Sequence, residues 1–170
     1  MNILMSLVLV SSSLMQALPV QSSTEPLVHE RVVNAPVAAV WEAFTTRAGI
    51  ESWMTSTGDI DLRLGGLMRT SYRTAADLDG DSAIHQVILS TDPYHMLSLR
   101  TVKAPKDFSF PTAILRTWTV VYFDRLDDSR TRVIFKMFGY TSDDESQKMR
   151  GFFDMGNKTT MDRLVKKFER

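Results

Sequence analysis

The chain has 170 residues, the size of one ordinary domain, and 20 basic side chains balance 20 acidic ones. That balance gives no overall field to draw nucleic acid or an anionic membrane surface. With no cysteine among the residues, disulfides, a thiol nucleophile, a Cys-ligated zinc and a lipoprotein anchor are all excluded.

Residues 1–22 differ from the rest. MNILMSLVLVSSSLMQALPVQS carries no charged side chain, and its apolar run from Ile3 to Val10 gives way to small and polar residues. The run is too short to span a bilayer, which takes about 20 apolar residues. It fits the apolar core of an export signal, although the segment before it has no Lys or Arg. The expected organisation is therefore a signal over 1–22 and a single domain over 23–170. On this reading the protein is periplasmic or secreted; otherwise it is cytoplasmic.

Leu27 to Val33 alternates as a first strand. Asn34 is a candidate helix cap and Pro36 suits a first turn. Val37, Val40, Trp41 and Phe44 then recur at helical spacing, and Gly49 separates this helix from a second short one near Ile50 and Trp53. From Gly58 to Leu64 the period changes to two. Gly65-Gly66 marks a hairpin, with positive φ in its turn, and Leu67 to Thr74 is the return strand. Further strands are expected over 83–90, 96–102, 113–123 and 130–138, with a loop over 103–112.

Helical spacing returns at the C-terminal end. Met149, Phe153, Met161, Leu164, Val165 and Phe168 form one stripe. Ser142 and Glu145 stand in capping-box register. Gly151 and Gly156 mark places where the helix kinks or a strand or ligand comes close. The fold class is thus α+β: a curved antiparallel sheet of about seven strands around a long C-terminal helix, with two short helices after the first strand.

This order resembles the START/SRPBCC superfamily, the birch-pollen-allergen-like helix-grip fold, and within it the branch named after the activator of the heat-shock-protein-90 ATPase. The matching segments are VVNAPVAAVWEAFTT (32–46), GIESWM (49–54), GDIDLRLGGLMRTSY (58–72), SRTRVIFKMFGY (129–140) and FFDMGNKTTMDRLVKKFE (152–169). Two departures stand out. Met137 occupies a position where relatives often carry His, and Phe152 and Phe153 replace a Trp common early in the last helix.

The resemblance implies a cavity between sheet and helix that holds apolar molecules. The residues that suit its lining are Trp53, Met68, Tyr72, Phe108, Phe110, Trp118, Tyr122, Phe153 and Met161, which equally suit ordinary core packing. His85 and Arg116 are added as groups that would orient a polar part of the ligand, or serve as acid and electrostatic clamp. Strand parity alone does not say which way they point.

No catalytic set emerges. His29, His85 and His95 lack metal-ligand spacing, and there is no GxSxG elbow. Gly65-Gly66 lacks the context of a phosphate loop, and the arginines are dispersed rather than clustered, against nucleic-acid binding. No metal or cofactor is expected. The leading expectation is a protein that binds a small apolar or amphipathic molecule. The alternatives are a cyclase- or hydratase-type enzyme on a polyketide-like substrate and a chaperone-activator-like module that docks a protein partner.

Overall fold

A computed structural model describes residues 23–169. The expected export signal lies outside the described residues. Strand β1 (Leu27–Val33) leads into helices α1 (Val37–Thr45) and α2 (Arg47–Glu51). Strands β2 (Thr57–Ile60), β3 (Leu67–Ser71), β4 (Ile84–Asp92) and β5 (Met96–Lys103) follow as a meander. A helical turn, α3 (Ala113–Arg116), precedes β6 (Trp118–Arg125) and β7 (Thr131–Phe138), and α4 (Asp144–Phe168) closes the fold.

The seven strands form one sheet in the order β1-β7-β6-β5-β4-β3-β2, and every neighbouring pair is antiparallel. The first strand thus pairs with the last, while α1 and α2 carry the chain to the opposite edge. Hairpins and meanders need only short connections, which the turn-rich sequence supplies.

Inward residues alternate along each strand. On β7 these are Thr131, Val133, Phe135 and Met137, all buried. They join two apolar clusters. The larger gathers Val40, Trp41, Phe44, Trp53, Phe123, Met161 and Leu164 beneath α1, α2 and the end of α4. The smaller gathers Leu27, Ile114, Met137, Tyr140 and Met149, with Phe108, Phe110 and Phe153 packed against it.

The structure corrects several local expectations. The strand starting at Gly58 stops at Ile60 because Asp61 to Gly66 turns tightly, with Gly65 at φ 76°. Residues 113–116 are helical, not extended, and β6 begins only at Trp118. Pro36 takes the cap position of α1, with no side-chain cap from Asn34 or elsewhere. Asp143, not Ser142, caps α4 by accepting from the Ser146 N–H at 3.0 Å. Helix α4 continues through Gly151 and Gly156, and a Cβ added at either would meet nothing within 4 Å. Among the described residues, nothing packs closely on either glycine.

Candidate functional site

The two apolar clusters do not meet everywhere. Between them, under α4, lies a cavity of two connected chambers. The inner chamber, about 150 Å³, is walled by Phe44, Met68, Leu99, Val121, Phe135 and Met137, and α4 lays Phe153, Asn157 and Thr160 across it. The outer chamber, about 370 Å³, is walled by Thr70, Ile84, Ala104, Pro105, Phe108 and Phe152. Met54, Tyr72, Gln86, Thr101, Ile114 and Phe153 border both. A sheet this curved cannot close on a single helix, so the gap is a consequence of the architecture.

Its position follows from register. Met68 on β3 lies opposite Gln86 on β4, and Gln86 lies opposite Thr101 on β5. These three side chains make one row across the sheet floor, apolar at one end and polar at the other. Thr119 and Asn157 add polar groups deeper in. Among the described residues, no charged side chain lines either chamber, and Tyr72 is the one titratable group.

Charges begin outside. At the mouth, Arg73, Asp81, Lys106 and Asp107 surround Tyr72 and Phe108, and Lys106 Nζ stands 3.6 Å from Asp81. The mouth is otherwise aromatic. Phe108 packs on Phe110, Phe152 and Phe153 with ring centroids 5.6, 6.0 and 6.4 Å apart, and Tyr72 is largely exposed.

Of the side chains expected to line a cavity, Met68, Tyr72, Phe108 and Phe153 do so. Phe110 sits one layer behind Phe108 in the aromatic cluster. Trp53 and Met161 do not line it. Trp53 is buried against Phe44, its Nε1–H donating to the Ala43 carbonyl at 2.9 Å, and Met161 is sealed in the larger cluster.

Trp118 borders the inner chamber, but its ring stacks on Phe138, its register partner, at 5.3 Å and 9°. Tyr122 points outward between the buried Val121 and Phe123, with the Lys136 ammonium 5.3 Å from its ring centre.

Neither polar candidate faces the cavity. Ile84 and Gln86 line it, so His85 between them lies on the other face, where its Nε2 is 2.6 Å from the Leu78 carbonyl oxygen. Arg116 belongs to α3 and donates to Asp143 at 2.9 Å outside the cavity. The pairing of His85 with Arg116 as acid and clamp is therefore not formed.

Sequence reasoning passed over Met54, Gln86, Thr101, Ile114 and Asn157. For Gln86 and Thr101 the one available signal is alternation with Met68 across the sheet, which needs the register to be read; Met54, Ile114 and Asn157 lie off the sheet.

Residues 34–169 match the family described as Activator of Hsp90 ATPase homolog 1-like protein. The chain belongs to that family.

Among solved structures, protein MLL2253 from Mesorhizobium loti is similar at 22% identity, over 85% of this chain and 97% of that one, with a TM-score of 0.67. Protein NE0264 from Nitrosomonas europaea is similar at 18% identity, over 88% and 97%, with a TM-score of 0.65. The Aha1 dimer from Colwellia psychrerythraea is similar at 14% identity, over 85% and 96%, with a TM-score of 0.63. At these identities the likeness concerns the fold. No curated protein matches the chain in sequence. A shared fold does not fix an activity, so function rests on the site itself. Among the described residues, no helix is long and apolar enough to cross a membrane.

Proposed function

We propose that this protein binds a small apolar or amphipathic molecule in the cavity between the sheet and α4, without chemical conversion. The observation that carries this reading is the two-chambered, largely apolar cavity opening at an aromatic mouth. The outer chamber alone falls within the roughly 300–1,000 Å³ typical of ligand pockets. A cyclase or hydratase needs an acid and a base held together near the substrate. The walls instead present amides, hydroxyls and Tyr72, which favours holding over converting.

A second reading, docking of a protein partner, is favoured by the outer sheet face. Val28 and Val32 are each at least 45% exposed there, and exposed apolar surface suits a partner.

Native mass spectrometry on protein purified from its own host, followed by solvent extraction, separates the two. A stoichiometric adduct of a few hundred daltons is the expected result. Protein that stays apo after challenge with lipids and polyketides contradicts the binding reading and favours docking.

A further inference from the structure

Two amides face the cavity without a partner in the protein. Gln86 reaches both chambers from the floor, and Asn157 looks into the inner one from α4. Both are half-buried, and among the described residues neither side chain makes a hydrogen bond within the protein, whereas the half-buried Gln147 bonds Ser23 in both directions. Each amide offers a carbonyl acceptor and an NH₂ donor. Thr101, Thr119 and Thr160 add hydroxyls around them. Polar groups inside an apolar chamber gain most when a ligand brings complementary polar atoms, and a ligand lacking them leaves the amides unmatched.

The charge pattern sharpens this. An ionised carboxylate brought into the chambers would leave water and meet no counter-ion, since Arg73 and Lys106 remain outside the mouth beside Asp81 and Asp107. Neutral donors and acceptors carry a much smaller desolvation cost. We propose that the cavity selects neutral, mainly apolar molecules bearing a hydroxyl, carbonyl or amide group, held by Gln86 and Asn157, and rejects carboxylates of the same shape. This rests on the reading of the cavity as a binding site and names its ligand class.

The test is calorimetric titration of the full chain at pH 7 with three probes of one shape: 2-naphthol, 2-methylnaphthalene and 2-naphthoate. The expected ranking places 2-naphthol first, with 2-naphthoate at least about tenfold weaker. In Gln86→Leu and Asn157→Leu, the preference for 2-naphthol over 2-methylnaphthalene is expected to shrink by up to about tenfold. The ranking by the unaltered protein stands as a test even if a variant fails to fold. Binding of 2-naphthoate as tightly as 2-naphthol would overturn the selection for neutral ligands, with a carboxylate seated at Arg73 or Lys106, and leave the cavity reading intact. Failure of all three probes to bind would overturn the cavity reading and the selection with it.

Discussion

The carboxylate of Glu145, in the first turn of α4, accepts hydrogen bonds from the backbone N–H groups of Thr112 at 2.9 Å and Ala113 at 3.0 Å. It thereby caps α3, a helix more than 30 residues away in sequence, and holds Ile114 against the cavity. A cap supplied at this distance explains why an apolar run that reads as strand winds one helical turn instead. Replacing Glu145 by Ala is expected to cost about 1 kcal/mol. Urea denaturation should show a lower midpoint with an unchanged slope. An unchanged midpoint would mean that α3 holds itself.

Gly151 lies in the exposed middle of α4 with open space where a Cβ would stand. Gly151→Ala should therefore raise stability by about 0.5–1 kcal/mol through helix propensity alone. A loss of stability in thermal denaturation would show that the helix needs a glycine there.

Trp53 belongs to the core and not to the cavity wall. Its ring packs on Phe44 and its N–H satisfies the Ala43 carbonyl, so Trp53→Phe is expected to cost about 1–3 kcal/mol. Binding of 2-naphthol by the folded fraction should be unchanged, because Trp53 touches neither chamber. A tenfold loss of affinity in calorimetry would return Trp53 to the binding surface.

His29 supplies a pH dependence. It is buried on β1 against α4, 3.3 Å from Asp154 but out of hydrogen-bond alignment, so its Nε2 has no partner. Burial lowers its pKa below the ordinary 6.5; Asp154 opposes the shift, while Lys158, Arg31 and Arg150 add to it. A histidine depressed in the folded state binds its proton first in the unfolded chain. Its stabilising contribution is thus full above pH 6.5 and declines as pH falls toward the folded pKa. Urea midpoints compared at pH 7.5 and pH 5.5 should fall on acidification, and His29→Gln should flatten the part due to this group. An equal fall in the variant would assign the effect elsewhere.

The sequence periodicity made the frame legible. Leu27–Val33 and Val37–Thr45 are read directly from alternation and from helical spacing, because each carries its whole signal locally. The cap on α3 is not local, and an apolar run from Ala113 to Phe123 contains nothing that announces it. The site was less legible for a related reason. His85 and Gln86 are adjacent, and the β4–β5 register shifts between them. Which of the two faces the cavity therefore depends on pairings made in three dimensions, which the type of neither residue reveals. Met68 was recoverable because an apolar side chain on a half-buried strand faces inward in any register that folds.

The central claim, that the cavity takes up a small molecule, is tested most directly by methyl NMR on protein labelled with ¹³C-methyl methionine during titration with 2-naphthol. Met54, Met68 and Met137 line the chambers, whereas Met161 lies in the sealed core and Met155 is exposed on α4. The expected result is saturable shifts of the Met54, Met68 and Met137 methyls, with Met155 and Met161 little changed. Saturable shifts confined to Met155, or none at any methionine, would contradict it.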